Sequence, residues 1–286
     1  MKAALCKSLE GPDGLVIEDI AVPQPGPGEA LIAVKAAALN FFDTLITRGK
    51  YQAKPPLPFS PSAEVAGVVE ALGPGVDGVQ VGDRVMAYIG WGGAREKVIV
   101  KANALVAIPD GVSDAVAASV SVTYGTAIHG LKDRADLKAG ETVAVLGAAG
   151  GAGLAAVEIG KLMGARVIAV ASSAEKLAVT REHGADEAVD YGAYDLKEGL
   201  RALTGGLGVD VVYDCVGGDS SEAALRATTW HGRFLVVGFA SGDIPKIPLN
   251  LLLLKGCAAI GVFWGEAVKR DPEGHRANMR QVLQWV

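Results

Sequence analysis

The stretch VLGAAGGAGLAAVE, residues 145–158, puts small residues where a strand would hand over to a helix. Read as A-x-G-x-x-G, it is Ala148, Gly150 and Gly153, with alanine where a dinucleotide fingerprint has its first glycine. In that reading Gly150 lets the backbone approach a pyrophosphate and Gly153 lets helix and strand pack closely. The N–H groups at the helix start supply the anion site. A tight βα turn without a ligand uses the same glycines, so the flanking residues decide. About 20 residues further on, an NAD site has Asp or Glu for the ribose 2′-hydroxyl. The strand ARVIAVA instead ends in Ser172 and Ser173, and Lys176 follows. A carboxylate repels a 2′-phosphate, whereas hydroxyls and an ammonium bind it, so these residues point to NADPH. Glu175, an early helical residue, is expected to face solvent.

Such a turn works only inside a suitable scaffold. From about residue 120, strand-like and helix-like runs alternate. ETVAVLGA, ARVIAVA, EAVDY, VDVVYDCV, RFLVVGFA and CAAIGVF read as six strands. GLAAVEIGKLMG, AEKLAVTREHG, YDLKEGLRALTG, SEAALRATTW and PLNLLLLKG read as helices or helical turns between them. This order predicts an α/β unit over 121–265 with a parallel, doubly wound, six-stranded sheet. Residues 1–120 differ: LVIEDI, ALIAVKA, AEVAGVVEAL, DRVMAYI and EKVIV are β-branched runs separated by PQPGPGE, GPGVDG and WGGA, which carry turn chemistry. A mainly antiparallel β domain is expected there. Residues 266–286 read as one amphipathic helix after a loop at Asp271–Gly274.

Composition narrows the classes. The chain has 286 residues, enough for two cores, and a formal charge of −5 without a dense Lys/Arg run, which gives no nucleic-acid surface. Cys6, Cys215 and Cys257 lie far apart without CxxC spacing, which speaks against disulfides and fits a reducing cytoplasm. MKAALCKSLE has no signal-peptide hydrophobic region. The apolar run 247–264 is interrupted by Pro248, Asn250, Lys255 and glycines, and reads as a short helix followed by a buried strand. His129, His183, His231 and His275 form no metal or triad pattern, and Ser119 and Ser121 lack a hydrolase elbow. Trp91 and Trp264 flank glycines and serve either a pocket or a core.

AAGGAGLAAVEIGKLMGARVIAVASSAEKL followed by HGADEAVDY resembles the medium-chain dehydrogenase/reductase superfamily. AALNFFDTLITRGKYQAKPPLPFSPSAEVAGVV, with VTYGTA, GRFLVVGFASG and GVFWG, is similar to its zinc-free quinone oxidoreductase family. The resemblance runs along nearly the whole chain. It implies a GroES-like catalytic domain joined to a Rossmann domain, an active site in the cleft between them, and NADPH. It implies a homodimer paired through the last Rossmann strand, here 257–263. It also implies that 266–286 begins a return segment to the catalytic domain, whose strand-bearing remainder is not among these residues and whose lack would expose an apolar patch.

Position by position, the resemblance implies that Gly150, Gly151 and Ala152 meet the pyrophosphate and that Ser172, Lys176 and Tyr191 surround the 2′-phosphate. Thr126 would lie near the nicotinamide ribose or the adjoining phosphate. Backbone at Phe239, Phe263 and Gly265 would touch the nicotinamide side, and Asn40, Asp43 and Tyr51 would line the substrate pocket. Zinc-dependent relatives carry a cysteine and a Gly-His-Glu motif where this chain reads ALNFFD and PSAE. Asn40 stands near the first place and Ala63 at the second, and the four-cysteine lobe is absent, so no catalytic zinc is expected. Without a Lewis acid, hydride transfer from NADPH to a conjugated acceptor is the natural reaction, with a few donors holding the charge that reaches the distant oxygen. The Asn40 amide and the Tyr51 phenol can donate; Tyr51 can equally pack at the pocket mouth, and Asp43 can bond nearby backbone or Arg48. Quinone reduction leads. Reduction of an enone, acrylate or enoyl thioester C=C bond is the alternative, with Arg48, Lys50 and Lys54 leaving a coenzyme A ester open. An NADPH-binding sensor with little turnover is the reading from another class.

Overall fold

In the computed structural model, which describes residues 1–286, the β-branched runs of the first part become strands. β1 (Lys2–Cys6) and β2 (Leu15–Asp19) pair antiparallel. β3 (Glu29–Ala38) is followed by a short helix, α1 (Phe41–Ile46), and then by β4 (Glu64–Leu72), β5 (Arg84–Tyr88), β6 (Lys97–Lys101) and β7 (Val106–Ala107). These strands form an antiparallel sheet in the order β6-β3-β4-β5-β7. Alternate residues of β3, β4 and β6 point into one core built from Ile32, Val65, Val69, Val98 and Val100. Two short helices follow, α2 (Asp114–Ser119) and α3 (Thr123–Ile128).

The second part alternates as its sequence periodicity requires. β8 (Thr142–Leu146), α4 (Gly151–Leu162), β9 (Arg166–Ala171), α5 (Ala174–Glu182), β10 (Glu187–Asp190), α6 (Leu196–Leu203), β11 (Val209–Asp214), α7 (Asp219–Arg226), β12 (Thr228–Val236), α8 (Asn250–Lys255) and β13 (Ala258–Gly261) give a six-stranded sheet, parallel throughout. Its order is β10-β9-β8-β11-β12-β13. The first strand in sequence lies in the middle, and the chain winds outward from it twice, in opposite directions. Every residue of β8 is buried, as expected of a strand covered on both faces. Two last helices follow, α9 (Trp264–Arg270) and α10 (Pro272–Trp285). The chain divides into two compact units, Met1–Gly125 with Gly265–Val286, and Thr126–Trp264.

Three local expectations are corrected. The tail is two helices, and Asp271–Gly274 is a helix start. Asp271 accepts from the Gly274 N–H at 2.9 Å as the cap, and Pro272 occupies the first turn, where its missing N–H costs nothing. ATTW does not continue α7; the β-branched Thr228 and Thr229 already belong to β12. The strand of the 247–264 run is not buried: β13 is the sheet edge, and Ala258, Ala259 and Gly261 are exposed. No helix is long and apolar enough to cross a membrane.

Candidate functional site

The glycine turn sits between β8 and α4, at the point where the sheet order reverses. The residue that makes the turn is Gly147, one place before Ala148. Its φ is +68°, and a β-carbon there would lie 2.7 Å from the Val216 side chain. Ala148 is fully buried behind it. Gly153 is required for another reason: a β-carbon would stand 2.2 Å from the Gly147 carbonyl oxygen. Around Gly150, in contrast, a methyl would meet only that same oxygen at 3.4 Å, so the space in front of it is open. Gly150 caps α4 without a side-chain bond, which leaves the N–H groups of Gly151, Ala152 and Gly153 without intrahelical partners. Peptide donors, open space and a helix N-terminus together fit a pyrophosphate.

The next strand supplies the complementary polar end. Lys176 Nζ donates to Ser172 Oγ at 2.9 Å, just beyond the end of β9. Ser173 caps α5 by accepting from the Lys176 N–H, which fixes where that lysine leaves the helix. The Tyr191 N–H donates to the Ala171 carbonyl at 3.1 Å, and Gly192 packs on the Ser172 carbonyl, so Ser172, Lys176 and Tyr191 share one corner. Glu175 is exposed, and its own N–H with the Ser173 hydroxyl holds its carboxyl below the ordinary range. Phe239 lies in the loop after β12, against Gly217 after β11, and Phe263 follows β13 and is 60% exposed. Thr126 lies in α3, half-buried. Gly265 belongs to the other unit, where a β-carbon would lie 3.1 Å from the Tyr88 hydroxyl.

In the antiparallel unit, Asn40, Asp43 and Tyr51 are brought together around α1. Asp43 is buried, and both of its carboxylate oxygens are spent on backbone: Oδ2 accepts from the Asn40 N–H and Oδ1 from the Ser62 N–H, each at 2.8 Å. Arg48 turns to the Thr44 carbonyl instead. Ser62 is held at a φ of +72°, a conformation that costs a residue with a side chain, and the Asp43 bond helps keep it there. Tyr51 rests against the Phe42 ring, with centroids 5.2 Å apart, and against the core of Cys6, Ile46 and Phe59. Burial, and then the negative Asp43, push its phenol pKa up.

Two residues that sequence reasoning passed over complete this group. Glu64, the first residue of β4, is 1% exposed; its Oε1 accepts from Asn40 Nδ2 at 2.7 Å and its Oε2 from the Val122 N–H at 2.8 Å. Burial raises its pKa to about 7, opposed by the Asn40 amide and the Val122 and Ser121 N–H groups. Tyr88, at the end of β5, is raised to about 12 by burial and by the neighbouring Tyr51, Glu64 and Asp43. The signal was present in PSAEVAGVV: a carboxylate placed directly before the apolar run VAGVV has to find partners inside the fold.

No group of three or more His, Cys, Asp or Glu side chains converges anywhere in the structure. Beside Glu64 stands the fully buried methyl of Ala63, and Asn40 presents its amide. These side chains do not make a zinc site, which needs about three nitrogen, sulfur or carboxylate ligands. The three cysteines are unpaired. His129 bonds Asp133, His183 bonds Glu158, His231 stacks beside Trp230, and His275 is buried, its pKa lowered to about 4. Trp264 is in the core, whereas Trp91 is 41% exposed.

Two family descriptions match the chain: an alcohol dehydrogenase GroES-like domain over residues 26–110, and a zinc-binding dehydrogenase domain over residues 151–286. A quinone oxidoreductase-like protein 2 homolog of Nematostella vectensis is 40% identical over 99% of this chain and 78% of its own length. Among solved structures, a mycobacterial protein complexed with NADPH is 34% identical, with a TM-score of 0.89, over 99% of this chain and 88% of that one. The quinone oxidoreductase of Thermus thermophilus, also solved with NADPH, is 36% identical, with a TM-score of 0.84, over the whole of this chain and 86% of that one.

Proposed function

Since the chain belongs to the zinc-free quinone oxidoreductase family of the medium-chain dehydrogenase/reductase superfamily, we propose that it is an NADPH:quinone oxidoreductase acting without a metal. The observation that carries the cofactor is the Ser172–Lys176 pair at the end of β9, an alcohol and an ammonium where an NAD enzyme needs a carboxylate. Gly147, Gly150 and Gly153 shape the backbone that receives the pyrophosphate, and Lys176, Ser172 and Tyr191 receive the 2′-phosphate. NADPH, when bound, supplies a hydride.

The remaining work is to hold the negative charge that the acceptor gains. Asn40 is the donor we assign to the acceptor oxygen. Its Nδ2 has two hydrogens, one engaged by Glu64 and the other free to donate. Tyr51 is the second donor. With its phenol pKa raised it keeps its proton at neutral pH and can give a hydrogen bond. Asp43 bonds only backbone and sets the shape of the α1 loop.

We also propose a homodimer through β13. It is an edge strand, and in the α8 segment that precedes it in sequence Leu249, Leu253 and Leu254 are 77%, 79% and 70% exposed. An open edge with apolar neighbours is a template for pairing with a second copy.

The deciding assay follows loss of the reduced-nicotinamide absorbance with NADPH and with NADH, against one quinone and one simple enone. Faster turnover of NADPH with the quinone supports the proposal. A faster enone moves the substrate to activated C=C bonds, and NADPH binding without turnover moves the protein to a sensing role.

A further inference from the structure

We infer that Glu64 is a positioning residue, whose carboxylate fixes which side of the Asn40 amide faces the acceptor oxygen. This rests on the reading of Asn40 as a donor. An ionised carboxylate can only accept, so it selects the N–H side of the amide. Glu64 does so at 2.7 Å, and its other oxygen is tied to the Val122 N–H at 2.8 Å. The carboxylate is therefore clamped at both ends, between the start of α1 and the segment that leads into α3. Because it is 1% exposed, water does not compete for either bond. No lysine or arginine pairs with it. The ionisable groups facing it are Asp43 from α1 and Tyr88 from β5, with Ser121 and Val122 contributing only N–H groups.

Two donors on one carboxylate set a chemical requirement. A neutral amide or a protonated acid in the same place has one good acceptor and one donor, so it satisfies only one of the two N–H groups. It also offers a hydrogen to the Asn40 oxygen, which lets the Asn40 amide turn over and withdraw its N–H. Misplacing one donor in this way costs about 10- to 100-fold in rate.

The test uses the full chain with NADPH and a benzoquinone, and compares wild type, Glu64→Gln, Glu64→Asp, Asn40→Ala and the double variant N40A/E64Q. Glu64→Gln should lower kcat by about 10- to 100-fold with KM for NADPH unchanged. Wild-type kcat should fall on the acid side as Glu64 takes up its proton, and Glu64→Gln should lack that fall. Glu64→Asp should keep the fall and recover part of the rate. The double variant should be no slower than Asn40→Ala, since Glu64 acts through Asn40. Losses that multiply in the double variant, or an acid-side fall unchanged in Glu64→Gln, overturn the inference. If the wild type reduces neither a quinone nor an enone, it is the reading of Asn40 that fails. A urea-unfolding cycle of wild type, Glu64→Gln, Asn40→Ala and N40A/E64Q then decides the pairing: coupling between positions 40 and 64 upholds the clamp, and additivity overturns it.

Discussion

Lys176 Nζ, in the first turn of α5, lies 2.9 Å from Ser172 Oγ, in the two-residue connection that joins β9 to α5. The pair places one positive charge and one hydroxyl at a single point of the sheet, and the cap made by Ser173 holds the lysine's helix turn in register. Lys176→Ala should therefore weaken NADPH binding by about 10- to 100-fold while leaving NADH binding within about twofold. Fluorescence titration of both cofactors checks this. Equal losses for the two would sink the 2′-phosphate assignment.

Gly153→Ala is expected to damage the fold as well as the site. Its methyl would stand 2.2 Å from a backbone oxygen that cannot swing away. Overpacking of this kind costs about 1–3 kcal/mol. Urea unfolding should show that loss, and NADPH affinity should fall with it. A variant with unchanged stability and affinity would mean that β8 and α4 are free to separate.

Glu64 makes stability depend on pH. Its folded pKa is raised from 4.5 to about 7, so the folded state binds its proton more tightly than the unfolded state does. The contribution is fully present below the unfolded value and is lost as pH rises through the folded one. On this account the protein loses about 3 kcal/mol of stability from this group between about pH 4.5 and pH 7. Other groups add their own slopes, so the informative quantity is the difference between wild type and Glu64→Gln across that window. Parallel melting curves for the two would contradict the assignment.

Asp43→Asn should destabilise by about 1–3 kcal/mol, because an amide satisfies one of the two buried N–H groups and faces the other with a donor. Ser62, no longer fully held at its positive φ, should gain proteolytic susceptibility. Thermal melting and limited digestion measure the two effects, and a melting temperature equal to wild type would show that the loop has other support.

Chelation should change nothing. Prolonged dialysis against EDTA should leave activity intact, and elemental analysis should find no stoichiometric zinc. One zinc per chain with activity lost on its removal would require ligands other than those around Asn40 and Glu64.

The alternation of strands and helices after residue 120 was plain in the sequence, because each buried strand of the parallel sheet is an unbroken apolar run and each helix keeps its own period. The glycine turn was legible for the same reason, although the residue that bends it is Gly147, which only a φ of +68° and the nearness of Val216 single out. Less could be read where three-dimensional pairing decides. β13 and a central strand have the same composition, and only the sheet order exposes it. Pro272 reads as a break until Asp271 is seen to cap the helix it begins. Glu64 and Tyr88 are far from Asn40 in sequence, by 24 residues in the first case. Their meeting depends on the register of β4 against β3 and β5, which no local pattern encodes.

The glycine turn has a last consequence, for selectivity between cofactors. The groups proposed to receive the pyrophosphate there are peptide N–H dipoles, which neither gain nor lose protons, so grip on the part common to both nicotinamide dinucleotides should be flat across the physiological acidity range. On the proposed assignment the corner at Ser172 and Lys176 instead meets a phosphate monoester, whose second ionisation lies near about 6. Acidification below that point takes away one of the two charges the ammonium recognises. Discrimination, and not overall hold, is then what a drop in pH erodes, and the enzyme becomes less choosy before it becomes less occupied.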